Sequence, residues 1–168
     1  MDKQKLMTAL EIDEGLRLYP YKCSAGKYTI GCGRNFEDNP FSIDELIFIG
    51  IKGRTFDAIL EELNKKGITR GDALWLLERD VDKVYAQLKK QFSWFESKPD
   101  VVQRVLCNIC FNLGLGGLLK FKKTLEFIRL EKYEEAAKEM LDSLWSRQVG
   151  SRAIRLSNLL RTQTNTAL

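Results

Sequence analysis

Three side chains near the start of the chain have types and spacing that can do chemistry together: Glu14, Cys23 and Thr29, within "IDEGLRLYPYKCSAGKYTIG". Glu14 directly precedes Gly15, a residue suited to ending a helix. A carboxylate there faces the negative end of the helix dipole, which penalises its ionised form, and partial burial acts in the same direction. A carboxyl kept protonated near neutral pH is what a general acid requires. Taken alone, Glu14 reads more simply as an exposed charge at a helix end, because structural carboxylates greatly outnumber catalytic ones. Cys23 opens a turn between strands. Thr29 stands on "KYTIGCGR", out of phase with Tyr28 and Ile30, so it looks outward if those two face the core. A β-branched residue in a strand needs no functional explanation. The three matter as a set.

What else the chain contains narrows the chemistry. It has no histidine, which removes the usual general base, every Ser-His-Asp or Cys-His device and the commonest zinc ligand. Proton chemistry must fall to carboxylates, Cys, Lys or Tyr. The 27 basic and 23 acidic side chains leave a net charge of +4, compatible with an anionic polymer but specifying none. No compact Lys/Arg block interleaved with aromatics marks a nucleic-acid surface. No uninterrupted apolar run has bilayer length, and "MDKQKLMTALEIDEG" lacks the apolar core of an export signal, so a cytoplasmic start and free thiols are expected. Cys107 and Cys110 have redox or zinc spacing. They sit in "DVVQRVLCNICFNLG", however, where Val101, Val102, Val105, Leu106, Ile109 and Leu113 recur at helical spacing, so core packing is the preferred account.

The elements that must position these groups are mainly helical. Residues 3–14 read as a helix, and 16–35 as short strands with a turn at Ser24-Ala25-Gly26. "FSIDELIFIGI" and "TFDAILEELNKK" read as two short helices. The cleanest helix runs from Thr69 to about Gln91, opened by a capping box of Thr69 and Asp72. Further helices are expected near 100–113, 118–130, 132–145 and 151–162, with "TQTNTAL" fraying. At 168 residues this predicts a single α+β domain. A small antiparallel-sheet lobe, about 14–68, is joined by a connecting helix, about 69–91, to a larger helical lobe, about 92–168. Helix 1–13 is assignable to either lobe.

The segment "IDEGLRLYPYKCSAGKYTIGCGRN" resembles the catalytic segment of the phage-type lysozymes (endolysins) of glycoside hydrolase family 24. Their pattern is Glu, eight residues, Asp or Cys, five residues, Thr, and Glu14, Cys23 and Thr29 fit it in the Glu/Cys/Thr variant. "GITRGDALWLLERDVDKV" resembles the family's inter-lobe helix, "FNLGLGGLLKFKKTLEFI" its cleft-bordering helices, and "SRAIRLSNLLRT" its final Arg-rich helix. Residues 40–66 fit least well.

The resemblance implies hydrolysis of the β-1,4 bond between N-acetylmuramic acid and N-acetylglucosamine in peptidoglycan, with Glu14 as general acid. Cys23, where most members carry Asp, either positions a water together with Thr29, giving inversion, or attacks the sugar as thiolate, giving retention. Water positioning is favoured, since the family's geometry leaves room for a water. The resemblance also points to Phe111, Asn112, Phe121 and Arg152 as substrate contacts, each with a structural alternative as core aromatic, helix-end residue or solvated charge. Trp145 reads as core, and Arg34 as a holder of the active-site backbone. Two rivals stand beside the hydrolase: a lytic transglycosylase using Glu14 alone, and a non-catalytic wall-binding module. No metal, cofactor, nucleic acid or stable membrane insertion is expected. The partner is the glycan strand, the chain acts as a monomer, and it waits in the host cytoplasm for holin-type release to the wall.

Overall fold

The computed structural model describes residues 1–163; residues 164–168, expected to fray, lie outside the described residues. The fold is α+β and lysozyme-like, and the chain divides into two compact units. One is Met7–Asp80; the other is Met1–Leu6 with the chain from Val81 onward. The division falls inside helix α1 (Lys3–Glu14) and inside helix α4 (Arg70–Gln91).

In the first unit α1 stops at Gly15, whose φ of +72° is the left-handed conformation that favours glycine. The Gly15 amide closes the last turn on the Glu11 carbonyl at 3.0 Å. The chain then builds an antiparallel sheet from β1 (Arg17–Lys22), β2 (Tyr28–Gly31) and β3 (Arg34–Asn35), in that order. Tyr21 pairs with Thr29, and Thr29 in turn with Asn35. The register is irregular between Arg17 and Tyr21, where Pro20 has no amide to donate to a ladder.

Helices α2 (Ile43–Phe48) and α3 (Phe56–Lys66) follow where two short helices are expected, capped by Ser42 and Thr55. They close a core of Ile30, Phe36, Leu46, Ile51, Leu63 and Leu76. The capping box of α4 is present, with the Thr69 amide donating to Asp72 at 2.9 Å and the Asp72 amide to the Thr69 hydroxyl at 3.0 Å.

The second unit is helical among its described residues: α5 (Asp100–Leu118), α6 (Lys122–Arg129), α7 (Tyr133–Leu141), α8 (Leu144–Val149) and α9 (Ser151–Thr162), preceded by a 3-10 turn at Phe95–Ser97. Helix α7 packs on α6 and α9. Two expected helices differ. The one placed at 118–130 starts only at Lys122, because the chain up to Leu118 stays with α5, bent at Gly114 (φ 71°, ψ 168°). The one placed at 132–145 is two, since Ser143 accepts the Ser146 amide at 3.1 Å and starts α8 afresh.

Helix α5 is long and apolar enough to cross a membrane by length and composition, although Gln103, Arg104 and Asn108 interrupt its apolar run. Its residues Val101–Cys110 are nevertheless buried within the protein, the position of a core helix. Cys107 and Cys110 are there as packing groups, and burial pushes Cys110 up to about 11 and Cys107 higher still.

Candidate active site

Glu14 is delivered by the last turn of α1 and is packed against Gly33. A Cβ on residue 33 would lie 2.9 Å from Glu14 Oε2 and 3.1 Å from its Cβ and Cγ. Gly33 also has φ +75°, so backbone and space both require glycine there. The carboxylate thus leans on bare backbone at the start of β3.

Cys23 and Thr29 are positioned by the β1–β2 hairpin. The Cys23 amide donates to the Lys27 carbonyl at 3.0 Å, and the Gly26 amide returns to the Cys23 carbonyl at 2.8 Å. That closure fixes the backbone around the sulfur. The Lys27 amide is the strongest influence holding the Cys23 thiol below the usual cysteine range; the Ala25 amide and Thr29 hydroxyl add to it, and burial opposes them. Donors aimed at a sulfur favour its thiolate. The Thr29 hydroxyl also lies 3.0 Å from the Lys27 carbonyl, to which it donates.

Thr29 keeps the expected phase but not the expected exposure. It lies across the ladder from Tyr21, while Ile30 enters the core. Yet Thr29 is only 2% exposed, so its hydroxyl is a fixed internal group and not an open surface.

Tyr21 is a further side chain of this site, one that the Glu14–Cys23–Thr29 spacing does not mark. Burial first, and the Glu14 carboxylate next, push its phenol above the usual tyrosine range; Cys23 acts on it in the same direction. One phenol therefore feels both the candidate acid and the candidate sulfur. Cys23 lies one residue beyond the end of β1, so strand alternation does not tie it to Tyr21. The Arg17 guanidinium lies over the Tyr21 ring, 4.6 Å from its centroid. Cys32 is pushed up to about 11 by burial first and by Glu11, which leaves Cys23 as the reactive thiol.

Arg34 corrects its expected role. It is buried, its Nε donating to Asp80 at 2.5 Å and its two terminal nitrogens to the Glu45 oxygens at 3.2 and 3.1 Å. It binds carboxylates from α2 and α4, not the active-site backbone.

Of the expected substrate contacts, Asn112 and Phe121 are brought together through Trp145. The indole donates to Asn112 Oδ1 at 2.8 Å, and the Phe121 ring meets it edge-on at 5.8 Å. Phe121 and Trp145 line a cavity of about 670 Å³ with Leu113, Thr124, Leu144 and Gln148. Trp145 is core by burial yet forms that wall. The buried Thr124 hydroxyl, in the first turn of α6, has no hydrogen-bond partner among the described residues. Phe111 is half-buried and outside the cavity lining. Arg152 is not a solvated charge: it is 7% exposed, its Nε donating to Asn108 Oδ1 at 2.9 Å.

The acid, the sulfur with its lowered thiol and the buried threonine all come from one helix end and one hairpin. The phage lysozyme family model matches residues 11–164, nearly the whole chain. The chain belongs to the phage lysozyme family. Probable T4-type lysozyme 1 of Dictyostelium discoideum is 29% identical over 164 residues, covering 92% of each chain. Probable T4-type lysozyme 2 of the same organism is 29% identical over 163 residues, covering 95% of each. The pre-baseplate central spike protein Gp5 of Enterobacteria phage T4 is 31% identical over 160 residues, which is 91% of this chain but 27% of that protein. Membership makes the chain a lysozyme-type glycoside hydrolase acting on peptidoglycan. Relatives in an amoeba and a phage mean that the family does not by itself assign a source.

Proposed function

We propose that this lysozyme cleaves the β-1,4 bond between N-acetylmuramic acid and N-acetylglucosamine, with Glu14 as general acid and Cys23 and Thr29 holding the attacking water. Glu14 gives its proton to the leaving oxygen as the C1–O bond breaks. The water oxygen bonds to C1 from the opposite face and passes a proton toward the Cys23 sulfur. The single observation behind this division of labour is the closed turn after Cys23, whose Lys27 and Ala25 amides lower its thiol. They favour the charged form, which accepts a hydrogen bond from water at a pH where an ordinary cysteine is mostly neutral. The same lowering weakens the sulfur as a nucleophile toward carbon.

Asn112 and Phe121, gathered at Trp145, are assigned to substrate contact, while Phe111 and Arg152 have a weaker claim. The chain is proposed to act as a monomer in host lysis, reaching the wall from the cytoplasm when a holin-type lesion opens. Product stereochemistry tests the water mechanism. Proton NMR of fresh digests is expected to show the α-anomer in excess before mutarotation. An initial excess of the β-anomer would make Cys23 the nucleophile instead.

A further inference from the structure

The cation beside this site has no assigned work. Arg17 begins β1, two residues after the helix-ending Gly15, and is exposed. Its guanidinium lies over the Tyr21 ring at 4.6 Å. Among the described residues it makes no ion pair and no hydrogen bond, the ring contact apart. Several other cations of this unit are paired with carboxylates, Lys27 with Glu37 and Asp38, Lys65 with Glu61, Arg70 with Glu11 and Arg79 with Glu45, while Lys22 lies over the Tyr28 ring. A guanidinium against an aromatic face is fixed in orientation while the N–H donors along its edge stay free. That edge has the fork geometry that takes a carboxylate by two parallel hydrogen bonds. Tyr21 also places the cation: its phenol lies within electrostatic reach of both Glu14 and Cys23, and its cross-strand partner is Thr29.

We infer that Arg17, held by Tyr21, is a specificity-determining residue that binds a carboxylate of the substrate close to the bond being cleaved. This rests on the proposed cleavage at Glu14. In the wall polymer the carboxylate comes from one of two sources, the stem peptide or the lactyl group of a muramic acid without its peptide. Both present the same planar anion to the guanidinium.

The test compares the wild type with Arg17→Gln and Arg17→Lys on three soluble glycan substrates. They are strands with stem peptides, the same strands with every carboxylate converted to amide, and strands stripped of peptide so that lactyl carboxylates are free. Arg17→Gln is expected to lower kcat/KM about 10- to 100-fold on a carboxylate-bearing strand, the scale of a lost charge-assisted pair, chiefly through KM. Arg17→Lys recovers part of the loss as a point charge without the fork. On amidated strands wild type and variants become equal. A loss confined to peptide-bearing strands assigns the stem peptide, and one confined to stripped strands assigns the lactyl group. Equal losses on amidated and native strands would overturn the inference and leave Arg17 a support for Tyr21. So would no loss on either carboxylate-bearing strand. Failure of the wild type to cleave any of the three would sink the hydrolase reading itself, a distinguishable result.

Discussion

Replacing Arg34 by Met removes a guanidinium shared by two buried carboxylates. Arg34 is 3% exposed, Glu45 0% and Asp80 6%. Glu45 keeps the Arg79 contact at 3.2 Å and its cap to Ser42 at 2.9 Å, while Asp80 keeps the Asn39 amide at 3.2 Å. Neither substitute is a second buried cation, since Arg79 is 40% exposed. Breaking a buried pair from one side costs about 3–5 kcal/mol, because the desolvated charges stay behind. For a chain of this length that lowers Tm by about 6–20 °C. Arg34→Lys keeps the charge but loses the fork that serves both carboxylates, so it falls between, at about 1–3 kcal/mol. Urea unfolding of the three proteins at neutral pH, with the slope compared as well as the midpoint, measures this. A cost below about 1 kcal/mol for Arg34→Met would refute the reasoning, because it would mean that the carboxylates are solvated or neutral and the network adds nothing.

Two further outcomes follow from the site itself. Alkylation of the folded protein near pH 7.5 is expected to modify Cys23 first and alone, since its thiol is lowered while those of Cys32, Cys107 and Cys110 are raised and buried; mass spectrometry would show one adduct and activity would fall with it, whereas first modification at any other cysteine contradicts the assignment. The rate of that alkylation should decline as pH falls through the lowered Cys23 value, because only the thiolate reacts. Gly33→Ala drives a methyl group into Glu14 and strains a left-handed backbone. The strain costs about 1–2 kcal/mol, and displacement of the acid by an ångström costs about 100-fold in kcat; full activity in that variant would mean that the Glu14–Gly33 contact does not set the acid's position.

How much of this was legible in the sequence depends on the range of the interaction. Helix α1 ends where Glu14-Gly15 says it should, and α4 opens on its Thr69–Asp72 box, because both signals act within one turn. The start of α8 was equally local: Ser143 is a good N-cap, but the apolar stripe continuing to Trp145 concealed it. The bend at Gly114 hid in "NLGLGG", where several glycines compete for one positive φ. Arg34 could not be placed at all, since its partners stand 11 and 46 residues away and three elements must fold before they meet. At the site, spacing alone named Glu14, Cys23 and Thr29. The closeness of the hairpin amides to the sulfur, the burial of Thr29 and the Arg17–Tyr21 stack needed three dimensions. So did the place of Tyr21, because Cys23 lies beyond the end of β1 and alternation does not link the two.

The central claim is hydrolysis driven by Glu14, and release of reducing ends from purified peptidoglycan by the wild type and by Glu14→Gln tests it most directly. Removing a general acid of this kind is worth about 100- to 10,000-fold. The account predicts reducing muramic ends from the wild type and a loss of at least that order in the variant, with its fold unchanged. Equal release by the two proteins would remove Glu14 from the mechanism. Products ending in 1,6-anhydromuramic acid would make the protein a lytic transglycosylase, and binding without any cleavage would make it a wall-binding module.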